Sequence, residues 1–178
     1  MNPKCIVIHY HEIGLKGDNR SWFEKIFISN ITKQLSALPY TKIKLIAARV
    51  LILGINEKFY IEYHNCLKNV MGLKHAFIMS VVELNNDSIN NEVLSQIKGL
   101  SFQTFRISSK RQDKNFEFTS QEVNQIVGEQ VVKKYSKKVS LNKPDLNIVI
   151  ELVNGKAYVG HKKIEGYGGL PVGTGEKA

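Results

Sequence analysis

The 178-residue chain has little thiol chemistry: Cys5 and Cys66 are its two cysteines. They lie far apart and fit neither a CxxC pair nor a zinc-ligand spacing, which argues against a disulfide framework and predicts that both stay reduced. Cys5 falls in an apolar run and reads as a small core hydrophobe. No apolar stretch is long enough to cross a bilayer. The opening residues, Met1 to Ile8, are too few and too alternating for a signal peptide, so a cytoplasmic protein without a membrane partner is expected. No G-x-S-x-G elbow, no H-E-x-x-H helix, no Walker A loop and no paired catalytic carboxylates occur. Acidic residues are outnumbered, with 16 Asp and Glu against 25 Lys and Arg and a formal net charge of +9. Residues 1–80 hold 11 basic and 5 acidic side chains and the remainder hold 14 and 11. Because both parts are basic, a polyanion can be met by either.

The hydrophobic pattern divides the chain. Residues 4–10 read as a buried strand. Phe23, Phe27, Ile31 and Leu35 recur at helical spacing over 20–37, and Pro39 ends that helix. Residues 42–47 and 49–55 read as strands, 56–70 as a helix, and the run from His75 to Leu84 as another strand. The order β-α-β-β-α-β is the split βαβ of a ferredoxin-like sandwich over residues 1–84, an α+β fold with helices on one side of the sheet. The opposite sheet face is expected to stay free for a partner or a neighbouring domain. A second, smaller α/β unit is expected over 85–165, with a helix at 88–98 and an alternating strand at 102–109. Its clearest helix opens at Thr119, where Thr119-Ser-Gln-Glu122 spells a capping box. Strands at 147–153 and 156–162 flank Asn154-Gly155, a two-residue hairpin signal. Residues 166–178, rich in Gly with Pro171, read as a linker.

Three segments could carry chemistry. In Phe105-Arg-Ile-Ser-Ser-Lys110-Arg111-Gln-Asp-Lys114, strand alternation sets Arg106, Ser108 and Lys110 on one face and Phe105 and Ile107 on the other. Arg106, Lys110, Arg111 and Lys114 suit a phosphate backbone, Arg as a bidentate fork and Lys as a point charge. The second segment, Glu12 to Arg20, holds two glycines in a loop that opens a helix, with Lys16 and Arg20 as cations near helix-end amides that favour anions. The third, Lys133-Lys-Tyr-Ser-Lys-Lys138, reads as charge complementing a helix C-terminus. His9 and His11 would share a strand face as half a metal site, but no third ligand is evident and no metal is expected.

Tyr10-His-Glu-Ile-Gly-Leu-Lys-Gly-Asp-Asn-Arg20 resembles the opening motif of tRNA 4-thiouridine synthetases. The segment Phe105 to Phe116 followed by Thr119-Ser120 is similar to the core of their THUMP domain. Gly166-Tyr-Gly-Gly-Leu-Pro-Val-Gly-Thr174 is similar to their connection from THUMP to catalytic domain. The resemblance implies a ferredoxin-like domain followed by a THUMP domain and the linker. It implies that the pair grips the acceptor end of tRNA and presents uridine 8 to a catalytic domain, which activates the uracil oxygen with ATP and replaces it with sulfur. The sulfur donor would be a cysteine desulfurase, and some relatives also serve thiamine synthesis. A homodimer is a further expectation from the family. The family's Ser-Gly-Gly-x-Asp-Ser loop does not occur, so no catalytic residue can be assigned, and ATP and Mg are expected only in that catalytic domain. This chain alone is therefore not expected to be an enzyme. Two other readings stay open: a stand-alone THUMP adaptor that delivers tRNA to a separate enzyme, and a ferredoxin-like regulatory domain for a small molecule.

Overall fold

The computed structural model describes residues 1–175; the last three residues of the expected linker lie outside the described residues. The chain forms two compact units. The first takes Lys4–Ile78 and the described residues from Lys162 to Gly175; the second takes Met1–Pro3 and Met79–His161. The boundaries differ from the expected division after residue 84 because β4 (His75–Glu83) and β8 (Lys156–Glu165) each run through both units. A strand that continues unbroken leaves no linker at which to cut.

In the first unit the order is β1 (Lys4–His9), α1 (Arg20–Gln34), β2 (Lys42–Ile46), β3 (Arg49–Leu53), α2 (Tyr60–Leu67) and the start of β4. The strands lie in the order β2-β3-β1-β4. β3 is antiparallel to both β2 and β1, with Ile6 opposite Ile52 and Ile8 opposite Val50. The β-α-β-β-α-β pattern is thus present. Phe23, Phe27, Ile31 and Leu35 are all buried along α1 against Ile6, Ile8, Val50 and Ile52. The reverse sheet face carries Cys5, Val7 and Leu51, each at most 1% exposed, so it is covered rather than solvated. The sequence signal lay in the continuous runs Cys5-Ile-Val-Ile8 and Val50-Leu-Ile52, since strands buried on both faces lose alternation. The β2–β3 hairpin turns on Ala47 and Ala48, both left-handed at φ 47° and 61°.

The second unit contains the end of β4, α3 (Asn86–Ile97), β5 (Thr104–Arg111), α4 (Ser120–Tyr135), β6 (Lys138–Val139), β7 (Leu146–Val153) and the start of β8. Its strand order is β4-β8-β7-β5-β6. β5 is parallel to β7 and β6, and β7 is antiparallel to β8. Phe105, Ile107, Ile148, Ile150, Leu152 and Val159 pack beneath Val93, Val123, Val127 and Val131 of the helices. The capping box forms: Thr119 Oγ1 accepts from the Glu122 amide at 3.2 Å and the Glu122 carboxylate accepts from the Thr119 amide at 2.7 Å. Asn154-Gly155 closes the β7–β8 hairpin, with φ 50° and 74°. Strand β6 was not expected. It is two residues long, too short for a periodic signal.

The glycine-rich stretch that follows β8 is held closely to the first unit. The Gly166 and Gly168 amides donate to the Lys74 and Leu73 carbonyls at 3.0 and 2.8 Å, and the Gly72 amide donates to the Gly168 carbonyl at 2.7 Å. A Cβ at Gly166 would stand 2.0 Å from the Leu73 carbonyl oxygen, so the strap can lie this close only because residue 166 has no side chain. No helix among the described residues is long and apolar enough to cross a membrane.

Candidate nucleic-acid interface

Alternation along β5 does what the pattern predicts. Phe105 and Ile107 are buried among the helices, while Arg106 and Lys110 are exposed on the opposite face. Four residues at about 3.3 Å each set the two cations roughly 13 Å apart. Between them, Ser108 donates its hydroxyl to Asn147 Oδ1 on β7 at 2.7 Å. Arg106 donates one Nη1–H to the Leu141 carbonyl at 3.2 Å, which orients an exposed guanidinium that carries further N–H donors.

Arg111 is used differently. Its Nη1 donates to the carbonyls of Phe116 and Phe118 at 3.1 and 3.3 Å. It therefore shapes the loop of residues 112–118, which carries the exposed Lys114. Asp113, the one acid in this basic segment, is bound to backbone amides: its carboxylate accepts from Asn115 at 3.1 Å and from Gly155 at 2.8 Å. Gln112 and Asp113 amides both donate to the Leu152 carbonyl, at 2.8 and 3.1 Å. The loop is thus tied to β7 and its hairpin, and it presents Lys114 from a fixed base. Beside it opens a cleft of about 530 Å³, lined by residues 84–87 at the start of α3 and by Asn115, Phe116 and Glu117.

In the basic run 133–138, Lys133 and Lys134 sit in the last turn of α4, where cations complement the helix end. The chain then turns at Ser136, left-handed at φ 53°, and Lys138 pairs with Thr104 in β6. Lys138 thereby joins the sheet face that bears Arg106, Ser108 and Lys110. Sequence reasoning missed Lys138, because its placement depends on a strand pairing between residues far apart in the chain.

In the first unit, Lys16 and Arg20 are engaged with protein groups. Lys16 Nζ lies 5.0 Å from the centroid of the Phe23 ring. Arg20 Nε donates to Glu24 at 2.7 Å, an i,i+4 pair on α1, and Tyr10 donates its hydroxyl to the same carboxylate oxygen. Burial, followed by that bond to Glu24, pushes the Tyr10 hydroxyl up to about 12. Glu12 accepts from the Gly169 amide at 3.0 Å and so fastens the strap. The Tyr10–Arg20 segment here builds structure with most of its polar groups. Strand β1 ends at His9, so His11 does not share its face; His9 stacks near His75 instead, with ring centroids 4.8 Å apart. Among the described residues no three His, Cys, Asp or Glu side chains group as a metal site would require.

Two family models match the chain: a ThiI ferredoxin-like domain over residues 5–76 and a THUMP domain over residues 80–162. A probable tRNA sulfurtransferase of Thermoanaerobacter sp. (strain X514) is 35% identical over 174 residues, covering 97% of this chain and 45% of the relative. One from Streptococcus uberis is 34% identical over 175 residues, with coverage of 97% and 43%. Among solved structures, PH1313 from Pyrococcus horikoshii aligns with a TM-score of 0.86 and 33% identity over 96% of this chain and 58% of that one. A 4-thiouridine synthetase in complex with RNA and ATP aligns with a TM-score of 0.78 and 27% identity, over 99% and 45%. The chain spans less than half the length of the curated relatives it matches.

Proposed function

The chain joins a ThiI ferredoxin-like domain to a THUMP domain, and on that premise we propose that it is the tRNA-binding region of a tRNA sulfurtransferase. In this reading it grips the acceptor end of tRNA and positions uridine 8 for thiolation by a catalytic domain. That domain brings the ATP and Mg chemistry, with a cysteine desulfurase as sulfur donor. The observation that carries the reading is the outward face of β5, where exposed Arg106 and Lys110 flank the Ser108–Asn147 hydrogen bond.

Such a surface suits a phosphodiester backbone better than a base edge. Its charges are single-signed and spaced along a strand, and phosphate contacts set register rather than sequence. RNA duplexes are recognised largely by shape and backbone. Arg106, Lys110 and Lys114 meet phosphates directly, and Arg111 contributes by ordering the loop that presents Lys114. Lys16 and Arg20 add a weaker, longer-range positive field from the first unit. The RNA complex of a relative with 27% identity supports RNA as the partner.

Titration with whole tRNA at several salt concentrations tests the reading. Arg106→Ala with Lys110→Ala should reduce the salt slope, log Kobs against log salt, by about 1.4–1.8 for the two cations. Unchanged affinity and slope in the double variant would remove β5 from the interface. Binding to the wild-type chain with no salt dependence would remove the function itself.

A further inference from the structure

The segment of residues 138–145 lies against the start of β5 with far more order than a surface connection needs. The Lys138 amide donates to the Gln103 carbonyl at 3.2 Å, and the Ser140 amide to the Phe105 carbonyl at 2.9 Å. At the other end, one oxygen of Asp145 accepts from the Gln103 and Thr104 amides, each at 2.9 Å, and the Asp145 amide donates to Thr104 Oγ1 at 3.0 Å. In the middle, the Leu141 carbonyl receives Arg106. Lys138, Leu141 and Lys143 are all exposed, Leu141 by 65%.

From this arrangement we propose that residues 138–145 are a second, pre-ordered half of the RNA grip, in which Lys138 and Lys143 contact phosphates and Asp145 is a positioning residue. The inference rests on the tRNA-binding reading above and extends its contact surface beyond β5. Lys138 pairs with Thr104, and parallel-strand partners share a face, so its ammonium belongs to the row of Arg106 and Lys110. Lys143 sits on a loop tied at both ends, so little conformational freedom is lost when it binds. Exposed Leu141 gives that loop an apolar spot for a ribose or base face.

Asp145 is the discriminating feature. A carboxylate on the segment that carries Lys138 and Lys143 should repel phosphate. Its charge is instead directed to two backbone amides, where it fixes the loop. Charge alone and positioning therefore predict opposite results. Removing a negative charge should tighten tRNA binding, whereas releasing the loop should weaken it.

The experiment measures tRNA affinity and salt slope for Asp145→Ala, Asp145→Asn, Lys138→Ala and Lys143→Ala in the full chain. Asp145→Ala should bind several-fold more weakly than wild type despite its added positive charge. Asp145→Asn, which keeps an acceptor oxygen, should recover the loss. Each lysine variant should lower the slope by about 0.7–0.9. An Asp145→Ala chain that binds as tightly as wild type, or more tightly, overturns the positioning role. Should that variant fail to fold, the two exposed lysines still decide the matter. If Lys138→Ala and Lys143→Ala leave the slope unchanged while Arg106→Ala with Lys110→Ala reduces it, the contact surface ends at β5 and the proposal is wrong with the parent reading intact. If neither set changes the slope, both fall.

Discussion

The two units meet the same problem, a loop rich in cations beside a strand, and solve it in opposite directions. In the first, Arg20 and Tyr10 converge on Glu24, Lys16 lies over Phe23, and Glu12 holds the Gly169 amide. In the second, Arg106, Lys110 and Lys114 stand in solvent, and the acids beside them, Asp113 and Asp145, are occupied by backbone amides. Local charge composition does not say which outcome holds. The position of the acids does: an acid one helical turn from a cation captures it, while an acid held by backbone amides leaves its neighbours available. The hairpins differ as well. The first unit turns on left-handed Ala47-Ala48 and the second on Asn154-Gly155, so the first keeps backbone strain that the second avoids.

The contrast can be broken at several points. The largest effect is expected at the strap. Gly166→Ala would drive a methyl to 2.0 Å from a backbone carbonyl that cannot rotate away, costing about 3 kcal/mol, the upper end of the range for overpacking. Chemical denaturation would measure this, and a loss below about 1 kcal/mol would mean that the strap is not needed for the first unit's stability. Next is Glu24→Ala, which removes the acceptor of both Tyr10 and Arg20 and should cost about 2 kcal/mol. Arg106→Ala, on the exposed face of the second unit, should change stability by no more than about 0.5 kcal/mol. Equal stability losses from the two variants would erase the contrast between inward and outward charge. The hairpins give the second comparison. Ala48→Gly should raise stability by about 1 kcal/mol or less by relieving a left-handed alanine, and Gly155→Ala should lower it by a similar amount. A destabilised Ala48→Gly would show that the alanine methyl makes contacts worth more than the strain.

Much of the fold was legible because its signals are local. The four-residue recurrence of Phe23, Phe27, Ile31 and Leu35, the Thr119–Glu122 capping box and the Asn154-Gly155 turn each lie within a few residues, and each formed. The Ala47-Ala48 turn was harder to read because neither residue favours the conformation it adopts. Strand β6 was invisible because a two-residue element is defined by its partner and not by its own pattern. The strap after β8 has the composition of a linker, yet hydrogen bonds to Lys74, Leu73 and Glu12 hold it. Composition records flexibility that the backbone could have, and tertiary bonding removes it.

For the candidate site, the alternation of residues 105–110 was enough to put Arg106 and Lys110 on one face and to turn Phe105 and Ile107 inward, because side-chain direction in a strand follows from backbone geometry alone. The family motifs carried the order of the two domains for the same kind of reason: they are properties of the chain read in sequence. Only the tertiary structure decided which cations remain available. It bound Arg20 to Glu24, turned Arg111 to the carbonyls of Phe116 and Phe118, and brought Lys138 beside Thr104 across 34 residues of chain. A cation's availability depends on which acceptors the folded chain places within about 3 Å of it, and those acceptors can come from any distance along the sequence.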